Sequence, residues 1–160
     1  MRDGAQHNDA FTLWKMELNV EGAHVILRID QMAQVPVYQQ ICDQIVAAIA
    51  RGELSPADRL PSVRTLAGDL GVNLHTVNKA YAVLRDEGYL LMRGRSGAVV
   101  ADFGQTATPE RLAANSERLA AGLHQLALEH CAQGGTAETF LDAARAQARR
   151  VFADSVFEEA

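Results

Sequence analysis

The chain has 160 residues, of which 48% are hydrophobic and 22% charged, and its formal net charge is −5 at pH 7. This composition is typical of one globular domain, or of a small domain with an appendage. No run approaches the roughly 18 apolar residues of a membrane span, and no charged-then-apolar leader is present, so we expect a cytoplasmic protein without a membrane partner. Cys42 and Cys131 lack the spacing of a zinc site or a disulfide framework.

The N-terminal quarter of the chain predicts one strand and one helix. Residues 1–24 show little periodicity and are expected to form a flexible extension. The next segment, HVILRID, alternates apolar and polar residues, which predicts a short strand. Pro36 then stands where a first helical turn tolerates proline, and apolar residues repeat at helical spacing until Gly52. This repeat predicts an amphipathic helix of about four turns.

Two shorter helices are expected next, separated by a tight turn at Gly71. Ser62 is a suitable N-cap for the first of them and Asn73 for the second, and Gly88 ends the second. The predicted inward positions of these two helices are all apolar or aromatic: Leu66, Ala67, Leu70, Val77, Ala80, Tyr81 and Leu84.

A basic, glycine-rich hairpin follows, because YLLMRGRSGAVVADF places two apolar runs around residues 93–97. Three helices, the last two joined by a tight turn, and then a hairpin have the order of a winged helix-turn-helix domain. The sequence therefore predicts a mainly α fold with a small β-hairpin. This winged helix-turn-helix domain is expected over residues 25–104, followed by a two-helix dimerisation segment over residues 105–160.

The charges are unevenly spread along the chain. Residues 59–97 hold six basic and three acidic side chains, whereas residues 1–58 and residues 105–160 each hold more acids than bases. A basic middle in an acidic chain favours a nucleic-acid partner for that part, because the distribution of charge matters more than its sum.

The outer face of the third helix carries short hydrogen-bonding side chains instead of a Glu/Lys mixture. Asn can pair with adenine, Lys with guanine or phosphate, and Thr with phosphate or a thymine methyl group, while a helix N-terminus attracts phosphate. A solvated face would explain this helix taken alone. The turn spacing, the basic hairpin and the local charge reversal together favour DNA binding. The candidate DNA-binding residues are Arg64, Thr65, Asn73, His75, Thr76, Asn78, Lys79, Arg93, Gly94, Arg95, Ser96 and Gly97.

From residue 52 the chain contains GELSPADRLPSVRTLAGDLGV, then NLHTVNKAY, then DEGYL and RGRSG. In this order, over about residues 25–101, these motifs resemble the N-terminal domain of GntR-type bacterial transcription regulators. The resemblance implies that Arg64 binds phosphate close to the bases, that residues 73–79 begin the recognition helix and that residues 94–97 form the wing. The chain departs from the family pattern at Ala57 in a turn, where glycine is usual, and at Leu74, where many members carry arginine. At Leu74 and the neighbouring His75 we therefore expect a different operator preference.

The C-terminal part predicts two helices, separated at Gly134-Gly135, with Thr136 as the N-cap of the second. Each has a narrow apolar seam that must be covered by the DNA-binding domain, by another subunit or by both. We expect a homodimer, and the short tail resembles the YtrA-type branch of the family, in which it serves dimerisation. The candidate dimerisation residues are Leu112, Leu119, Leu123, Leu126, Leu141, Val151 and Phe152.

No nucleophile elbow, phosphate loop or metalloprotease motif is present, so we expect neither an enzyme nor a cofactor. His124 and His130 fall on different helix faces, which argues against a metal site. The leading hypothesis is a homodimeric repressor that binds a double-stranded DNA operator with an inverted repeat. Two alternatives are an acidic protein-interaction module with a winged-helix fold, and a ligand-sensing regulator with a small effector pocket between tail and DNA-binding domain. The sequence leaves the effector and the sign of regulation open.

Overall fold

The computed structural model describes residues 13–20, 23–94, 97–104 and 108–153. Contacts divide the chain into two compact units, residues 1–101 and 102–160. The first unit contains, in chain order, β1 (Leu13–Val20), β2 (Ala23–Asp30), α1 (Val37–Ala50), β3 (Arg59–Leu60), α2 (Val63–Leu70), α3 (Leu74–Asp86), β4 (Leu90–Met92) and β5 (Ala98–Val100), and the second contains α4 (Pro109–Ala132) and α5 (Ala137–Ala153). The predicted mainly helical fold is confirmed. Among the described residues, no helix is both long enough and apolar enough to span a bilayer.

Strands β1 and β2 form an antiparallel hairpin, in which Met16 lies opposite Leu27 and Leu18 opposite Val25. Strand β2 is the one expected from HVILRID, and its Val25, Leu27 and Ile29 are buried. The flexible extension expected at the N-terminus needs one correction, because β1 falls inside it. The alternating apolar residues of β1 are mixed with charged ones, and such a strand is stabilised mainly by its partner across the hairpin.

One hydrophobic core fills the first unit and is formed by the apolar faces of β2, the three helices and the small sheet. Burial raises the pKa of the Cys42 thiol to about 11, and this thiol donates to the Ala80 carbonyl at 3.5 Å, between α1 and α3. The Tyr81 hydroxyl donates to the Pro61 carbonyl at 2.9 Å, and burial raises the pKa of this phenol too. The predicted inward positions of α2 and α3 are confirmed as buried: Leu66, Ala67, Leu70, Val77, Ala80, Tyr81 and Leu84.

The wing belongs to a three-stranded antiparallel sheet of order β3-β5-β4. Only its β4–β5 hairpin is predicted by the sequence, because a strand of two residues is too short to show a periodicity. The pairing extends one residue pair before β3, where the Ala57 amide donates to the Val100 carbonyl and the Val100 amide to the Asp58 carbonyl, both at 2.9 Å. The loop before α2 is therefore tied to the base of the wing.

Replacing Ala57 with glycine is expected to raise the free energy of unfolding by about 1 kcal/mol, or the melting temperature by about 3 °C. Ala57 has φ +70°, the one positive φ of a non-glycine residue in the described part of the chain. A left-handed conformation costs a residue with a Cβ about 1–2 kcal/mol, and glycine removes part of that cost.

The matched control for this prediction is Ala47→Gly, in the interior of α1. There the same exchange should lower the free energy of unfolding by about 1 kcal/mol, because glycine loses more entropy in a helix. Urea unfolding of both variants measures the two signs. Equal losses in both variants would contradict the strain assigned to Ala57.

In the second unit, α4 and α5 form a helical hairpin whose caps are both threonines. The Thr108 hydroxyl accepts from the Arg111 amide at 3.3 Å, and the Thr136 hydroxyl, as the sequence predicts, from the Thr139 amide at 3.2 Å. His130, in the last turn of α4, hydrogen-bonds through Nε2 to the Thr139 hydroxyl at 2.8 Å. This bond joins the end of α4 to the start of α5.

Candidate nucleic-acid interface

The turn between α2 and α3 is fixed by side-chain caps. Ser62 Oγ accepts from the Thr65 amide at 3.1 Å and starts α2, and Gly71 ends that helix in the left-handed conformation at φ +62°. Asn73 Oδ1 then accepts from the His75 amide at 2.8 Å and starts α3. These caps set where α3 begins, and so which side chains its first turn presents to solvent.

Two predicted contact residues, Thr65 and Asn73, also take part in these caps. The Thr65 hydroxyl lies 2.7 Å from Ser62 Oγ, and the Asn73 side-chain oxygen is occupied by the His75 amide. Asn73 therefore keeps its amide NH₂ as the group available to a ligand. Whether either residue also contacts DNA stays a prediction.

The exposed face of α3 has two adjacent rows of side chains, and the two residues within each row lie about one turn apart. Leu74 and Asn78 form one row and His75 and Lys79 the other, since residues four apart lie on the same side of a helix. All four are exposed, whereas Thr76 is half-buried at the edge of the face. The helix thus offers an amide, an imidazole and an ammonium group beside one apolar side chain.

Lys79 also contacts a residue that is not among the candidate DNA-binding residues. Its Nζ lies 3.8 Å from the centroid of the Tyr38 ring on α1. Such a cation–π contact contributes about 0.5–1 kcal/mol at an exposed site and limits the positions of the ammonium group. Tyr38 is therefore a candidate positioning residue for Lys79.

The wing places Arg93 at the end of β4, where its amide donates to the Gly97 carbonyl at 3.0 Å. Arg93 and Gly94 are exposed, and Gly97 is buried with φ +96°. The predicted contact residues Arg95 and Ser96 lie outside the described residues.

Arg59 is not among the DNA-binding residues predicted from the sequence, although its charge contributes to the basic segment over residues 59–97. In the register of β3 and β5 it lies opposite Val99, and with Arg93 it lines an open cleft together with Ala57 and Val99. The pairing of β3 with the wing is what brings Arg59 near Arg93. Only a contact between distant parts of the chain could have identified it.

Arg59, Arg64 and Arg93 are among the arginines of this unit that have no carboxylate partner within the residues that the structure describes. By contrast, Arg85 at the C-terminal end of α3 is 2.8 Å from Asp86. Because no carboxylate occupies them, these guanidinium groups are available to an anionic ligand, and arginine can bind phosphate bidentately. The described residues also contain no cluster of His, Cys, Asp and Glu suited to a metal ion.

Comparison with known proteins gives a match of residues 37–100 to the family described as bacterial regulatory proteins, gntR family. This range covers α1 to β5, which includes the capped turn, α3 and the wing. Residues 37–100 are therefore a GntR-family helix-turn-helix domain.

Named relatives agree with this assignment. The HTH-type transcriptional regulator Rv1152 of Mycobacterium tuberculosis is 40% identical over 80 residues, which is 50% of this chain and 66% of the relative. The HTH-type transcriptional repressor YtrA of Bacillus subtilis is 37% identical over 86 residues, 53% of this chain and 65% of the relative. The chain thus spans slightly less than two thirds of each relative. Both relatives are described as transcriptional regulators.

A solved structure has the same fold over most of the chain. The transcriptional antiterminator from Listeria monocytogenes superposes with a TM-score of 0.64 at 25% identity, and the match covers 82% of this chain and 96% of that one. The winged helix-turn-helix prediction is confirmed by the family match together with the observed elements.

Outside the matched range, the two C-terminal helices carry the candidate dimerisation residues. None of the described residues of α4 and α5 is buried. The seven candidates are between 41% and 73% exposed: Leu112, Leu119, Leu123, Leu126, Leu141, Val151 and Phe152. So many large apolar side chains exposed on one hairpin are typical of a surface that contacts another protein.

Proposed function

We propose that this GntR-family chain is a sequence-specific DNA-binding transcriptional repressor that acts in the cytoplasm, as a homodimer, on an operator with an inverted repeat. The observation that carries the proposal is the exposed polar face of α3, together with Arg64 on α2 and Arg93 on the wing, which are exposed and have no carboxylate partner among the described residues. A helix with such a face fits the major groove, and exposed arginines on neighbouring elements fit the phosphate backbone. Repression is supported by the likeness to the YtrA repressor.

Selection of duplexes from a random DNA pool by the full chain tests this proposal. We expect enriched sequences with two related half-sites whose centres are about 34 Å apart, and binding that falls steeply with salt. The control is a shuffled duplex of equal length and composition. Failure to enrich any sequence, with no binding at low salt, would reject the proposal and favour the protein-interaction module.

The homodimer is supported by the exposed apolar residues of α4 and α5, which a second copy would cover through the same surface. Two linked recognition helices also bind an inverted repeat far more tightly than one, because the second contact becomes intramolecular. A dimer would thus cover the exposed apolar residues of α4 and α5 and also increase the affinity for the operator.

Leu119→Ala is expected to raise the dimer dissociation constant by at least about tenfold, because the truncated apolar area counts in both subunits. Leu128→Ala is the matched control, since Leu128 is also an exposed leucine of α4 but does not lie on the predicted seam. Analytical ultracentrifugation measures both constants. Equal effects of the two variants, or a monomeric wild type, would reject the seam as the interface.

A further inference from the structure

Leu74 is an apolar side chain for which the fold has no evident use. It is 44% exposed, whereas Val77, Ala80 and Leu84 on the same helix are fully buried. It is also absent from the partly buried hydrophobic residues that pack against the core. Burial therefore does not explain a leucine at this position.

Its place on α3 is the one that a major-groove contact requires. Leu74 is the first residue of the helix, directly after the Asn73 cap, and Asn78 follows it one turn later in the same row. Helical side chains lean toward the N-terminus, and the N-terminal residues of a recognition helix contact the base edges. Leu74 thus projects from the end of the helix that enters the groove.

The major groove displays one chemical feature that an apolar side chain can recognise. A leucine has no hydrogen-bond donor or acceptor, so it cannot read the nitrogen and oxygen atoms of the base edges. The apolar group that the major groove displays is the C5-methyl of thymine. We infer that Leu74 is a specificity-determining residue that recognises a thymine methyl group in each half-site. This inference rests on the proposed DNA-binding function.

The test removes only the methyl group. In the duplex that the wild-type chain enriches from a random pool, each thymine of a half-site is replaced in turn by deoxyuridine. At one position we expect wild-type binding to weaken by about fourfold, the effect of one buried methyl-sized group. Leu74→Ala should bind the thymine duplex more weakly and lose all sensitivity to the uracil exchange at that position.

Leu91→Ala is the matched control, because Leu91 on β4 is 46% exposed, close to the value for Leu74. This variant should keep the full methyl effect. If the losses from Leu74→Ala and from deoxyuridine simply multiply, or if no thymine is methyl-sensitive, the inference is overturned while the DNA-binding proposal stands. If the wild type enriches no duplex, the proposed function itself fails.

Discussion

Arg64→Ala is expected to weaken binding to the selected operator by about 10- to 100-fold, and to reduce the salt dependence of binding by about one phosphate contact per half-site. Arg64 is the second residue of α2, exposed and without an ion pair among the described residues. Its removal should leave the core unchanged, because the Ser62 cap and the buried Leu66 do not depend on it. Gel-shift titration at several salt concentrations measures both effects.

Arg85→Ala is the control for this experiment. Arg85 is also an exposed arginine of the helix-turn-helix, but it lies in the last turn of α3 and is paired with Asp86 at 2.8 Å. An exposed pair of this kind contributes little to stability, so neither folding nor binding should change by more than about twofold. The assignment of Arg64 to the interface would be rejected if both variants lost affinity equally, or if Arg64→Ala kept full affinity and salt dependence.

Gly97→Ala is expected to lower the free energy of unfolding by about 3 kcal/mol and to weaken DNA binding through the wing. A Cβ at Gly97 would lie 2.5 Å from the Leu60 carbonyl oxygen and 3.0 Å from the Pro61 carbonyl carbon. Both are backbone atoms of β3 and the loop before α2, so no side chain can move aside. The φ of +96° adds strain for any residue with a Cβ.

Gly94→Ala is the control that separates the backbone strain of a positive φ from the steric collision of the new Cβ at Gly97. Gly94 also has a positive φ, +62°, but a Cβ there would meet no described heavy atom within 4 Å. We therefore expect a loss of only about 1 kcal/mol, from the left-handed conformation alone. Urea unfolding measures both variants. Equal losses at the two glycines would show that the close approach of Gly97 to β3 is not needed.

The local features of the helix-turn-helix could be predicted because they depend on neighbours in sequence. The Ser62 and Asn73 caps, the left-handed Gly71 and the apolar faces of α2 and α3 each involve residues at most four apart or a repeat of 3.6 residues. The structure confirms these features. The candidate contact residues on α3 follow from the same repeat, since the face opposite a buried stripe is exposed.

The features that were missed need contacts between residues far apart in sequence. Strand β1 needs its partner β2, and β3 needs a partner on the wing some 40 positions along the chain. The Lys79–Tyr38 contact joins α3 to α1. No local pattern marks such residues, because their environment is set by another element.

By itself, the sequence determined the order of the helices, their caps and buried faces, and the basic character of the segment around α3. These properties arise from local hydrogen bonds, helical periodicity and composition. Only the tertiary structure decided that β3 ties the wing to α2, that Arg59 lies near Arg93, and that Leu74 stays outside the core that buries the other large apolar side chains of α3. The physical reason is that burial and charge pairing depend on what packs across from a residue, and packing brings together elements distant in the chain.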